Sequence, residues 1–132
     1  MVDEVLTHRG GGTGQIELAI LSRQGGRARN EDACGHWQSD HRLCCVVADG
    51  AGGHGGGDVA SKLVVRHIID QVASAPLARV DEVRDLLIDT NAQLRHHRPD
   101  SDNTKDMHST VVALFVDLAA QQALWGHAGD SR

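Results

Sequence analysis

The chain has 132 residues, a length that suits one domain with a core built from apolar packing. Its formal charge of −5, with 2% aromatic residues and no tyrosine, supplies neither a basic field for phosphate backbones nor a stacking platform for bases, which excludes nucleic acid as a partner. Cys34, Cys44 and Cys45 follow no spaced framework and read as reduced thiols of a cytoplasmic protein, and no apolar run approaches the ~20 residues of a membrane span.

Residues 1–14 open on Met1-Val2-Asp3-Glu4, without the basic and apolar segments of a signal peptide. They close on Gly10-Gly11-Gly12-Thr13-Gly14, so they read as a mobile leader, and the folded domain is expected at 15–132. Alternation over 15–22 puts Ile16, Leu18 and Ile20 on one face of a strand. The polar, glycine-containing stretch 22–30 is a loop, 33–38 a short strand, and Ser39-Asp40-His41 a turn. The continuously apolar run 43–48 fits a central strand covered on both faces, with Cys44 and Cys45 as small buried hydrophobes.

A helix is predicted over 58–73, capped by Asp58, with Val59, Leu63, Val64, Ile68 and Val72 as its apolar face and Pro76 closing the segment. Asp81 caps a second helix with Val83, Leu86, Leu87 and Leu94 inward and Asp85, Asp89 and Arg95 outward. His96-His97-Arg98 suits its last turn, where cations complement the helix dipole, and Pro99 stops it. A polar loop over 99–108 leads to strands over 109–117 and 122–127. Strands, two helices and strands again predict an α+β fold, with helices packed on a mostly antiparallel sheet.

The stretch Val46-Val47-Ala48-Asp49-Gly50-Ala51-Gly52-Gly53-His54 carries the chemistry. An apolar strand ends on a carboxylate held by rigid backbone, and glycines beside it let the main chain approach a ligand. Gly50-Ala51-Gly52-Gly53-His54-Gly55 also matches G-x-G-x-x-G, the dinucleotide fingerprint. Two features oppose that reading. The Asp49 charge would repel a pyrophosphate unless a cation intervened, and the acidic residue expected ~20 positions on, Asp70, lies inside a helix rather than at a strand end. A purely structural glycine turn is the other alternative. A metal explains more residues. Hard oxygen donors at Glu31, Asp32, Asp49 and the Gly50 carbonyl suit Mg²⁺ or Mn²⁺, and Arg27 can hold phosphate oxygens in a fork.

In order along the chain stand Arg27-x-x-Asn30-Glu31-Asp32, Ala48-Asp49-Gly50-x-Gly52-Gly53-His54, Ala60-Ser61, Ser109-Thr110-Val111-Val112 and Gly129-Asp130-Ser131-Arg132. This series resembles the ordered motifs of the metal-dependent type-2C serine/threonine protein phosphatases, with the bacterial branch closest. The resemblance spans residues 15 to 132. It implies the α/β sandwich of that family, here an antiparallel sheet with two antiparallel helices, incomplete at the C-terminus. It also implies a dinuclear Mn²⁺ or Mg²⁺ enzyme in which metal-activated hydroxide hydrolyses phosphoserine and phosphothreonine in proteins, opposing a Ser/Thr kinase, without a phosphoenzyme.

By matching motif, Asp49 would bridge both metals and Gly50 would lend its carbonyl. Glu31 would lie at the second metal with Asp32 beside it, Arg27 would hold the substrate phosphate, and Asp130 would serve a third-metal site. Ser109-Thr110 would support packing behind the site. Ala51 stands where the family often has Met or His, and His54 does not inherit an acid role. The family carries two further metal-binding aspartates beyond the position of Arg132, so this chain is expected to be an N-terminal portion with weak or no turnover of its own. The alternative is a non-catalytic phosphatase-like module that binds phosphorylated protein through Arg27.

Overall fold

The computed structural model describes residues 4–9, 15–97 and 107–132. Two strands, β1 (Glu4–Arg9) and β2 (Gln15–Ile20), pair antiparallel as a separate ribbon. Within the stretch 1–14 read as a leader, residues 4–9 pair with β2, and 1–3 and 10–14 lie outside the described residues.

The main sheet contains β3 (Asp32–Gln38), β4 (Arg42–Ala51), β5 (His108–Ser109), β6 (Val111–Asp117) and β7 (Gln122–Ala128). Its order is β3-β4-β6-β7, with β5 paired to the end of β4, and every pairing is antiparallel. Between β4 and β5 in sequence come a short 3₁₀ turn at Gly53–Gly55, then α1 (Gly56–Ser74) and α2 (Val80–His96). The predicted order of strands, two helices and strands holds. Arg98, Pro99 and the loop up to 106 lie outside the described residues, as does the His54 side chain. No described helix is long and apolar enough to cross a membrane.

Period-two alternation along β4 turns Cys44, Val46 and Ala48 toward the helices, and register places Phe115 beside Cys44 and Ala113 beside Val46 on that face. There α1 packs on β3 and β4 and α2 on β7, with Val64, Ile68 and Val72 from α1 and Val83, Leu86 and Leu94 from α2 buried. Gly35 and Gly126 let the helices come close. A Cβ on Gly35 would meet Val65 Cγ1 at 2.7 Å, and one on Gly126 would meet Val83 Cγ1 at 2.8 Å. His67 Nε2 lies 2.8 Å from Asp89 Oδ2 and ties α1 to α2.

The other face of β4 differs from the expectation of cover on both sides: Val47 is 54% exposed, with Leu114 at 39% and Trp125 at 69% on neighbouring strands. Both helices follow β4 and settle on the same side, so within this chain that face receives little cover.

Local details depart from the predicted elements in four places. The first helix starts at Gly56 with Gly55 as its N-cap, not Asp58, because Gly55 takes the left-handed φ of 88° that bends the chain into the helix. Asp58 falls in the first turn and pairs with Lys62 at 2.8 Å. The second helix is capped at Arg79, not Asp81. There the Glu82 carboxylate accepts the Ala78 and Arg79 amides at 2.8 and 3.0 Å, and Asp81 takes the Arg79 guanidinium instead. Val59 is exposed, while Ala60, Ser61 and Val65 join the buried face that the spacing assigned only to neighbours. The strand predicted over 109–117 is broken at Thr110.

Ile68 is fully buried at the centre of the helix–sheet contact. Ile68→Ala is expected to lower stability by about 3 kcal/mol, read as a shift of the urea midpoint at unchanged slope.

Candidate functional site

The predicted carboxylates gather where β3 begins and β4 ends. The two strands run antiparallel in a register that sets Asp32 opposite Asp49. Both side chains are exposed on the face turned away from the helices. Like charges directly opposite each other across an antiparallel pair are destabilising, and a cation held there would offset that.

Asn30 prepares this arrangement. Its Nδ2 donates to Ser22 Oγ at 2.9 Å, tying the loop down, and its Oδ1 accepts the Asp32 amide at 3.1 Å. That aspartate therefore enters β3 from a fixed Asx turn.

Gly50 follows Asp49 and is enclosed by backbone. Its N–H donates to the Glu31 carbonyl at 3.1 Å, and an added Cβ would run into the Gly57 carbonyl and come within 2.7 Å of the Glu31 carbonyl oxygen. The glycine is required here for close approach of β3, β4 and the start of α1. Glu31 itself faces that helix start: a Cβ on Gly57 would lie 2.7 Å from its Oε1. A carboxylate there is favoured by the helix dipole.

Arg27 is exposed on the loop ahead of β3, where its carbonyl accepts Gln24 Nε2 at 2.6 Å. Arg29, absent from the residues singled out in the sequence, lies closer to the glycine turn, with its guanidinium in the space a Gly55 Cβ would enter. Asp130 is exposed in the turn after β7. That turn needs Gly129, whose φ is 91° and whose missing Cβ leaves room for Thr110 Cγ2.

Thr110 was read as packing behind the site, and the structure adds polar contacts. The Asp49 amide donates to Thr110 Oγ1 at 3.1 Å, the Thr110 amide donates to the Asp49 carbonyl at 2.8 Å, and Thr110 Oγ1 is 2.6 Å from Ser131 Oγ. Thr110 and Ser131 both lie in motifs that the sequence offers, but their contacts join positions 61 and 21 residues apart, and no local pattern records them.

The buried Cys44 thiol does not compete for the chemistry. The three cysteines form no disulfide, and burial pushes the Cys44 thiol up to about 12, so it stays protonated and is neither nucleophile nor ligand at neutral pH. The expected burial holds for Cys44, while Cys45 is only half-buried.

The donors fit Mg²⁺ or Mn²⁺ by type, being carboxylate and carbonyl oxygens with one pair of carboxylates opposed. Among the described residues, however, no group of three or more His, Cys, Asp or Glu side chains stands close enough to hold an ion. The shell that these residues supply is partial.

The fold is an antiparallel sheet with two helices on one face and opposed carboxylates at its strand ends, and comparisons with known proteins identify the family that shares it. The model of the protein phosphatase 2C family matches residues 22–132, and the chain belongs to that family. It is 28% identical over 122 residues to protein phosphatase PhpP of Streptococcus pneumoniae, covering 89% of this chain and 49% of that protein. It is 32% identical over 112 residues to serine/threonine phosphatase stp of Listeria welshimeri, covering 80% of this chain and 44% of that protein. The solved serine/threonine phosphatase of S. agalactiae superposes with a TM-score of 0.66 at 25% identity, over 97% of this chain and 48% of that one. The chain thus spans about half the length of the curated relatives it matches.

Proposed function

We propose that the protein carrying this chain hydrolyses phosphoserine and phosphothreonine in cytoplasmic phosphoproteins, with Mn²⁺ or Mg²⁺ at Asp49, in opposition to a Ser/Thr kinase. The opposed pair Asp32 and Asp49 carries the reading: two exposed carboxylates stand opposite each other in the strand register, beside a glycine that admits no side chain, an arrangement that suits a cation. Family membership and relatives named as serine/threonine phosphatases support it.

In this reading Asp49 and the Gly50 carbonyl are primary ligands, Asp32 and Glu31 extend the shell, and Asp130 serves a further ion. When bound, the ions supply Lewis acidity at the phosphoryl group and lower the pKa of a coordinated water. Arg27 orients the phosphate by paired N–H donors and leaves the cation site untouched. The unspaced Cys34, Cys44 and Cys45 suit a reducing compartment. Two octahedral cations would find few protein ligands in these residues, so the chain on its own is expected to turn over poorly.

The full-length protein is expected to release phosphate from a phosphothreonine peptide only with Mn²⁺ or Mg²⁺ present. Arg27→Ala should raise KM by about 10–100-fold, the loss of one charge-assisted contact, with Mn²⁺ affinity unchanged. Hydrolysis that survives chelation overturns the proposal. That no three-donor group stands together among the described residues favours a second reading, a phosphopeptide-binding module without turnover. Peptide binding that persists without metal, with no hydrolysis under any condition, would establish it.

A further inference from the structure

The polar contacts around Asp49 do not come from β3 alone. In the β4 register, Gly50 stands opposite Ser109 and Val47 opposite Val112, which puts Thr110 across from Asp49. An undistorted antiparallel ladder would exchange two backbone hydrogen bonds at such a position. One is present, from the Thr110 amide to the Asp49 carbonyl at 2.8 Å. The other is replaced: the Asp49 amide donates to the Thr110 hydroxyl at 3.1 Å, and the Thr110 carbonyl accepts Ser109 Oγ at 2.7 Å instead. The break between β5 and β6 falls at this residue.

The Thr110 hydroxyl then reaches 2.6 Å to Ser131 Oγ, one residue beyond Asp130. With one proton and two lone pairs, it can accept from Asp49 and donate to or accept from Ser131 together. A single half-buried side chain thus connects the strand end that carries Asp49 to the turn that carries Asp130.

We infer that the Thr110 and Ser131 hydroxyls form a latch that sets Asp49 relative to the Gly129–Asp130 turn, making Thr110 a positioning residue for the cation-binding carboxylates. The inference rests on the cation reading proposed above. Substitution of ladder geometry by a side chain has no use in building the sheet, because Thr110 gives up a backbone acceptor that any residue would provide. It does have a use in a site where two separated carboxylates must keep a fixed spacing, since partners of ligands orient them and tune affinity.

Two substitutions in the full-length protein separate the latch from packing. Thr110→Val keeps the branched shape that packs on Gly129 and removes the hydroxyl; Thr110→Ser keeps the hydroxyl and removes the methyl. The latch predicts that T110V exchanges its Asp49 amide about tenfold faster by hydrogen-exchange NMR and weakens Mn²⁺ binding about 10–100-fold by EPR titration. T110S should stay near the parent in both, and Ser131→Ala should move affinity in the same direction as T110V. A T110V protein with parental amide exchange and Mn²⁺ affinity overturns the latch, as does T110S behaving like T110V, which would show packing instead. A parent protein that binds no Mn²⁺ while its Asp49 amide is protected sinks the cation reading, and the latch's role with it.

Discussion

Replacing Asp49 by asparagine is expected to have effects of opposite sign on activity and on metal-free stability. Metal-dependent hydrolysis in the full-length protein should fall by about three orders of magnitude, about 4 kcal/mol of transition-state stabilisation, because the one carboxylate at the strand end that faces another is gone. The metal-free protein should at the same time become more stable by about 0.5 kcal/mol at low salt, since Asp32 no longer faces a like charge across the β3–β4 pair. Added Mn²⁺ should raise the melting temperature of the parent and leave that of the variant unmoved. Steady-state assays and thermal melts with and without Mn²⁺ check both arms. A variant that retains activity, or melts below the metal-free parent at low salt, contradicts the opposed-carboxylate site.

Gly50→Ala is expected to be the most damaging single-methyl change in the chain, with a loss of about 3 kcal/mol. The new Cβ would collide with the Gly57 backbone and sit 2.7 Å from the Glu31 carbonyl, and neither neighbour is a side chain that can swing away. The same substitution at Gly53, where nothing lies within 4 Å, should change stability by less than about 0.5 kcal/mol. Urea titrations of the two variants side by side test the claim. Equal midpoints would mean that the glycine pattern after Asp49 serves chain flexibility rather than close approach. Because Gly50 also holds the Glu31 carbonyl, the alanine variant should lose Mn²⁺ binding in proportion to its strain.

The strand over 43–48 was legible because a continuous apolar run of that length fits a strand of the core, and Asp49 was legible because a charge ending such a run must meet solvent or a ligand. The two helices were legible from their spacing of leucine and valine. Their caps were not: Asp58 and Asp81 are good capping residues by type, but Gly55 and the Glu82 carboxylate took those places. Capping depends on which backbone amides are left open by the incoming turn, and turn geometry does not follow from residue preference alone. The exposure of Val47 was likewise invisible, since a continuous apolar run looks the same whether one face or both are covered.

The sequence by itself determined the two helices, most of the strands and their order, though not the strand at 4–9 or the break at Thr110, and it named the oxygen donors, because periodicity, charge and glycine content act over a few neighbouring residues. Only the tertiary structure decided that Asp32 stands opposite Asp49, that Glu31 turns its carboxylate toward α1 and its carbonyl to Gly50, and that the Thr110 hydroxyl accepts from an amide 61 residues away. Those facts follow from strand register and close backbone approach. A shift of one residue would send every side chain to the other face, and no local pattern at Thr110 or Ser131 records which register the packed sheet adopts.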